Sequence, residues 1–216
     1  MCGDCPPPPP PPTPDSEVDS SVLAGLLWRW LRFILLPAGA DPSNKWRPSR
    51  DCVTGALEEV IAYAEGMANQ PNDGYGTAVQ GTVVDSPNFP ELVGQTNVQL
   101  NQAQLKTLTG NPGINVHVGG VGYSNAFGRY QINGVTAAQF NVTDWTPSGQ
   151  DDAAAAILEY YNAVQPAMDG NLQQAFWNMF QWASMPDSPY SQPHISMAQA
   201  TAVYQNALTY LPECSH

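Results

Sequence analysis

A segment rich in glycine, asparagine and proline, residues 70–125, separates two regions of helical patterning in this chain of 216 residues. Short β-prone runs such as TAVQGTVV and INVHVGGVG alternate there with turn-forming residues, which is typical of a small sheet with long loops. Apolar residues recur at helical spacing before and after this segment. The order predicts an α+β fold that is mainly helical, with one small antiparallel sheet.

Four helices are predicted around the sheet, over residues 52–65, 147–164, 171–183 and 196–211. The first carries one apolar stripe, which Ser49 or Asp51 can cap at its start and which Gly66 ends. In the second, Pro147 at the first helical position follows the capping residue Thr146. Hydrophobic residues make up 43% of the chain, so these helices can enclose a core.

Charge and proline are distributed unevenly along the chain. Residues 1–50 hold five acidic and five basic residues and eleven of the 21 prolines, whereas residues 51–216 hold two basic and fourteen acidic residues. Two compositions that meet near residue 50 indicate a boundary between an N-terminal extension, 1–50, and a folded domain, 51–216. The net charge of -12 excludes strong nucleic-acid binding, which needs a basic surface.

The N-terminal extension contains two segments of different character. Residues 6–14 are proline apart from Thr13 and predict an extended polyproline II spacer, because proline fixes φ and has no amide hydrogen. Residues 20–36 predict an apolar helix, whose stretch from 22 to 36 is short for a membrane span and is interrupted by Arg29 and Arg32. We expect this helix to bury its apolar surface against another protein, with contact to a membrane surface as the alternative. The extension is therefore predicted to anchor the domain.

Four cysteines leave the redox compartment open. Cys2 and Cys5 form a C-x-x-C pair, but no second pair of cysteines or histidines completes a zinc site. Cys52 and Cys214 stand at opposite ends of the folded domain and, because domain termini often lie close together, they are a candidate disulfide. The sequence predicts no metal site and no cofactor.

Glu65 is the candidate catalytic residue. It lies four residues after Ile61 and eight after Leu57, so it continues the apolar stripe of the first helix by one turn. A carboxyl half-buried at a helix end resists ionisation, and a pKa near about 6 would make it a usable general acid. The plain alternative is a solvated acid at the end of a helix.

Five motifs, taken in order, resemble those of the bacteriophage lambda lysozyme family, phage endolysins that are lytic transglycosylases. They are Ala64-Glu65-Gly66, Gly74-Tyr75, Gly128-Arg129-Tyr130-Gln131, Thr146 to Asp151, and Trp182 to Pro186 followed by Tyr190 and Gln192. The matches cover about residues 52–210, essentially the whole folded domain. The resemblance implies a lysozyme-like fold. Residues 95–112 have no counterpart in the family pattern.

The resemblance also implies an activity, which is cleavage of the β-1,4 bond between N-acetylmuramic acid and N-acetylglucosamine in peptidoglycan. Glu65 matches the single glutamate that protonates the leaving oxygen, after which the muramoyl 6-hydroxyl closes on C1 to give a 1,6-anhydro end. Gln131 and Tyr190 match residues that line the sugar groove. The remaining candidate substrate-binding residues are Tyr75, Tyr130 and Gln192, and Arg129 is expected to support its loop.

Two other functions stay open. A hydrolytic lysozyme needs a second carboxylate, and Asp73 followed by Thr77 resembles the pattern of phage T4-type lysozymes, although both gaps are shorter than in that family. One catalytic carboxylate therefore fits the sequence better. The other alternative is a catalytically idle lysozyme-like module that has a structural role in a phage tail or binds the cell wall. His117, in an alternating strand, is expected to be structural.

The N-terminal extension suggests where such an enzyme would be found. Cell-wall polymers are anionic, so an enzyme with a net charge of -12 gains no electrostatic attraction to them, whereas tethering would raise its local concentration. We expect the chain to be carried in a phage particle, bound through residues 1–50 to a tail or internal virion protein. Its substrate would be the peptidoglycan glycan strands of the host periplasm and cell wall.

Overall fold

The computed structural model describes residues 48–119, 122–190 and 192–215. The predicted polyproline spacer 6–14, the apolar helix 20–36 and the Cys2–Cys5 pair lie outside the described residues. The predicted boundary near residue 50 therefore stays a prediction.

The described part of the chain folds into helices that surround one three-stranded antiparallel sheet of strand order β1-β2-β3. The helices are α1 (Arg50–Ala64), α2 (Gln102–Leu105), α3 (Gly134–Gln139), α4 (Pro147–Tyr160), α5 (Val164–Met168), α6 (Leu172–Trp177) and α7 (Met197–Tyr210). The strands are β1 (Thr82–Asp85), β2 (Asn115–Val118) and β3 (Gly122–Ser124), and three 3₁₀ turns cover Pro71–Gly74, Pro90–Leu92 and Pro212–Cys214. This confirms the predicted fold class, mainly helical with one small antiparallel sheet. None of the helices in the described residues has the length and apolar character to span a bilayer.

Helix α1 forms where the sequence predicts it, because both of its determinants are local. The Ser49 side chain caps it by accepting a hydrogen bond from the Cys52 backbone N–H at 3.1 Å. Its apolar stripe is completely buried, including Leu57 and Ile61, each of which stabilises the fold by about 1.5–3 kcal/mol. The stripe packs mainly against α7, so the first and last helices of the domain share one core.

Two predicted helices are longer than the observed ones. The helix predicted to reach Val164 ends at Tyr160, because Asn162 adopts a left-handed backbone conformation with φ of 55°. The helix predicted over 171–183 covers only Leu172–Trp177. Beyond it, the N–H groups of Met179 and Trp182 bond to carbonyls three residues earlier, both at 3.1 Å, so the chain continues in tight turns.

The segment 95–112, which the family pattern did not explain, adds helix α2 and a buried flank of the core. Asn101 and the side chain of Gln104 form a capping box at the start of α2. On either side of this box, Leu100 and Leu105 are buried at 2% and 1% exposure. The insertion is therefore packed against the domain through its own apolar residues.

A disulfide between Cys52 and Cys214 joins the start of α1 to the C-terminal 3₁₀ turn. Both cysteines are buried, and the Ser49 hydroxyl donates to the carbonyl of Glu213 at 3.3 Å beside them. The two ends of the described domain are thus covalently and non-covalently linked.

Candidate active site

Glu65 lies immediately after α1, where its backbone N–H still bonds to the Ile61 carbonyl at 2.9 Å. Its side chain is half-buried. Burial raises the pKa of Glu65 to about 7, although hydrogen bonding from Ser184 favours the ionised form and lowers it. A carboxyl with this pKa is protonated in a large fraction of molecules at neutral pH and can donate its proton.

Gln131 is the last residue of the Gly128-Arg129-Tyr130-Gln131 motif and lies close to the chain that follows Glu65. Its side-chain amide lies 3.5 Å from the sulfur of Met67, two residues after Glu65, and donates to the carbonyls of Thr77 at 3.2 Å and Gly128 at 2.8 Å. Gln131 is only 9% exposed, and its backbone is left-handed with a φ of 46°. Its amide is thus held by internal acceptors, and the prediction that Gln131 lines the sugar groove stays a prediction.

The hydroxyls of Tyr130 and Tyr75 share one acceptor. Each hydroxyl donates to Oδ1 of Asp151 at 2.7 Å, and the rings pack edge to face with centroids 6.4 Å apart. Tyr130 is buried at 2% exposure, and its predicted contact with substrate stays a prediction. Tyr75 is half-buried, and its hydroxyl is committed to Asp151.

Arg129 bonds to the loop that follows α1 and to α1 itself. Its guanidinium donates to the carbonyl of Asp73 at 2.9 Å and to the carboxylate of Glu59 at 2.5 Å. It also lies over the ring of Tyr75, at 5.4 Å from the centroid. Asp73 itself, the candidate second carboxylate, is exposed on this loop with a left-handed φ of 53°.

The segment from Trp182 to Gln192 contains Ser184, whose hydrogen bonding lowers the pKa of Glu65. Trp182 donates from its indole N–H to the carbonyl of Tyr130 at 2.8 Å, which fixes the segment against the Gly128–Gln131 turn. Tyr190 is 38% exposed and Gln192 is exposed, so these two predicted substrate-binding residues lie at the surface of the same segment.

Two residues of the site were missed by reasoning from sequence. Ser184 lies within the motif Trp182 to Pro186, but nothing local indicates that it faces Glu65. Glu58 is half-buried, and burial together with the nearby charge of Asp151 raises its pKa to about 8. Glu58 lies two helical turns before Glu65, so helical spacing could have identified it as a second candidate carboxyl on the same face. In the described residues, no group of three or more histidine, cysteine or acidic side chains is arranged to hold a metal ion.

Comparison with known proteins gives one family and one fold. The profile of the Endolysin family matches residues 55–211. The solved structure of the lysozyme of bacteriophage lambda in complex with a chitohexasaccharide is 22% identical, covers 72% of this chain and 94% of that chain, and superposes with a TM-score of 0.56. A second structure of bacteriophage lambda lysozyme is 21% identical, with the same coverage and a TM-score of 0.53. No curated protein matches the chain. The predicted lysozyme-like fold is thereby confirmed.

Proposed function

Because this chain belongs to the Endolysin family, we propose that it is a lytic transglycosylase that cleaves the bond between N-acetylmuramic acid and N-acetylglucosamine with one catalytic carboxyl, Glu65. Membership of the family makes it a phage enzyme that degrades the peptidoglycan of the host cell wall by breaking glycosidic bonds. The proposal adds that the reaction is a transglycosylation and that Glu65 is the catalytic residue.

The observation that carries the proposal is the state of Glu65. The residue is half-buried at the end of α1, and burial raises its pKa to about 7 while two donors from Ser184 limit the rise. This balance suits a group that must give up a proton in one step and take one back in the next, since neither charge state is strongly disfavoured at neutral pH.

The reaction needs only this group for its proton transfers. The protonated carboxyl of Glu65 gives its proton to the bridging oxygen, and the bond between that oxygen and C1 of the muramoyl sugar breaks. The resulting carboxylate then removes the proton of the muramoyl 6-hydroxyl, and its oxygen bonds to C1. The products are a 1,6-anhydro end and a free 4-hydroxyl, no water is consumed, and Glu65 is protonated again.

The masses of the released muropeptides distinguish this mechanism from hydrolysis. We expect digests of purified peptidoglycan to contain muramoyl ends that are lighter by one water molecule than the ends produced by a hydrolytic lysozyme, because O6 replaces water as the nucleophile. Mass spectrometry of the soluble products measures this directly. Reducible, hydrated ends as the main product would instead favour a second carboxylate, for which exposed Asp73 is the candidate.

We further propose that residues 1–50 attach the enzyme to a tail or internal protein of the phage particle, so that it opens the wall locally at infection. The support is the sequence alone, namely the proline run, the apolar pattern that predicts a helix over 20–36 and a net charge of -12, which gives no attraction to an anionic wall.

Deleting residues 1–45 is expected to leave the activity on purified peptidoglycan within about twofold, because the family match begins at residue 55, and to remove the protein from assembled particles. Immunoblots of purified particles measure the second effect. Equal incorporation of the truncated and full-length chains would contradict the proposed attachment. Binding of the full chain, but not of the truncated one, to lipid vesicles would favour the membrane alternative.

A further inference from the structure

We propose that Gln150 is a positioning residue for substrate binding, because its buried side-chain amide bonds to the backbones of the two motif turns 74–75 and 128–131 and fixes one against the other. The inference rests on the proposed function, in which the substrate is a glycan strand. The two turns carry three of the predicted substrate-binding residues, Tyr75, Tyr130 and Gln131. The motif resemblance gives Gln150 no role of its own.

The Gln150 amide bonds to backbone groups from three separate places in the chain. Gln150 lies near the start of α4 and is 1% exposed. Its nitrogen donates to the carbonyls of Tyr75 at 2.9 Å and Trp145 at 2.8 Å. Its oxygen accepts the backbone N–H of Arg129 at 3.0 Å. Both amide hydrogens and the oxygen are therefore used, and the turn at Tyr75 is held at a set distance from the turn at Arg129.

The turn at Gly128 is shaped around this amide. Gly128 has a φ of 82°, where glycine is favoured, and a Cβ at this position would overlap the side-chain oxygen of Gln150. Asp151, the next residue of α4, accepts the hydroxyls of Tyr75 and Tyr130, both at 2.7 Å. Two consecutive residues of α4 therefore join the same two turns, Gln150 through their backbones and Asp151 through their side chains.

Glu65 is placed by contacts of a different kind. Its backbone N–H bonds to the Ile61 carbonyl at 2.9 Å at the end of α1, and the start of α1 is capped by Ser49. Loss of the Gln150 amide should therefore disturb the two turns more than it disturbs the general acid. We expect the effect in KM and in the affinity for glycan strands rather than in kcat.

The test compares the full-length parent with Gln150→Met, which keeps the length of the side chain and removes its hydrogen bonds to all three backbone groups. On soluble, uncross-linked glycan strands prepared from peptidoglycan, we expect KM to rise about tenfold and kcat to stay within about threefold. Circular dichroism at the assay temperature measures the folded fraction of both proteins. An unchanged KM would overturn the role of Gln150. A fall in kcat alone would overturn it too, because that is the effect of a smaller folded fraction.

A second variant, Gln150→Glu, tests the hydrogen bonds without removing the polar group. A carboxyl buried at this position has a raised pKa, and only its protonated form can donate to one of the two carbonyls. The KM of Gln150→Glu relative to the parent should therefore be close to one at pH 5 and about tenfold higher at pH 8. In Gln150→Met, which does not titrate, the same ratio should not change with pH. A ratio for Gln150→Glu that is independent of pH would contradict the proposal.

Gln174→Met is the matched control. Gln174 is a half-buried glutamine of α6, and its side-chain nitrogen donates to Oδ1 of Asn178 at 2.8 Å, outside the two turns. We expect this variant to have the KM and kcat of the parent. An equal rise of KM in Gln174→Met and Gln150→Met would overturn the inference, because the loss of any glutamine amide would then weaken binding.

Binding to the catalytically disabled protein separates this inference from the proposed function. The dissociation constant of the same glycan strands, measured by isothermal titration calorimetry, should be about tenfold higher for Glu65→Gln/Gln150→Met than for Glu65→Gln. Equal dissociation constants, with Glu65→Gln inactive, would end the role of Gln150 alone. If Glu65→Gln kept the activity of the parent, the proposed catalytic residue would be wrong, and the KM of Gln150→Met would still decide whether Gln150 positions the substrate.

Discussion

Replacing Glu65 by glutamine is expected to lower the release of soluble muropeptides by about a thousandfold, because the amide keeps the shape of the side chain and cannot protonate the leaving oxygen. The parent enzyme should lose activity as the pH rises above about 7, where its own Glu65 ionises. Chromatography of the products released from purified peptidoglycan, from pH 5 to pH 9, measures both effects.

The same substitution should not weaken the fold. The pKa of Glu65 is about 7 in the folded protein against about 4.5 in the unfolded chain, so the stability that its protonation contributes is complete below pH 4.5 and is lost as the pH rises through 7. Glutamine carries no charge at any pH. The melting temperature of Glu65→Gln should therefore equal that of the parent at acidic pH and match or exceed it at pH 8.

Glu58→Gln is the control that makes the first result specific. Glu58 is a second half-buried carboxyl on α1, and burial together with Asp151 raises its pKa to about 8, so it is the rival proton donor. The charges of Asp151 and Arg129 act on the pKa of Glu58, whereas Ser184 acts on the pKa of Glu65. We expect Glu58→Gln to keep activity within about threefold. Loss of activity in Glu58→Gln alone would move the catalytic role to Glu58, and a parent that releases no more muropeptide than either variant or a blank would favour the idle wall-binding module.

Glu65 could be located from the sequence because its position depends on local geometry. Helical spacing places it one turn beyond Ile61 on a stripe that is buried in the fold, and the cap at Ser49 fixes where the helix starts. Spacing of this kind survives folding, because α1 needs no other element to define which of its faces is apolar.

The surroundings of Glu65 could not be predicted in the same way. Tyrosine and glutamine suit both sugar binding and buried hydrogen-bond networks, and the choice depends on acceptors that come from elsewhere in the chain. Asp151, on α4, takes both tyrosine hydroxyls, and the carbonyl of Thr77 takes the amide of Gln131. Tyr130 and Gln131 thus bond to acceptors whose positions depend on the whole fold.

Removing the disulfide is expected to have the largest effect on stability. Cys52 and Cys214 are 162 residues apart in sequence, and a cross-link that closes so long a loop removes chain entropy from the unfolded state that corresponds to about 5 kcal/mol. For a domain of this size the melting temperature should fall by about 15 °C. Thermal unfolding of the Cys52→Ala/Cys214→Ala double variant, followed by circular dichroism, measures the change. Alanine is chosen because Cys52 is completely buried and a serine hydroxyl would lack a partner there.

The other two cysteines supply the control for this effect. A Cys2→Ala/Cys5→Ala variant keeps the bond between Cys52 and Cys214, so its melting temperature should equal that of the parent. When both proteins are reduced, their melting temperatures should fall by the same amount. The Cys52→Ala/Cys214→Ala variant should not respond to reductant at all. A fall of less than about 3 °C in that double variant would mean that packing of α7 on α1, rather than the covalent bond, holds the two ends of the domain together. Since Cys52 lies in the first turn of α1 and Glu65 directly follows this helix, a large fall would also tie the stability of the helix that positions Glu65 to an oxidising compartment.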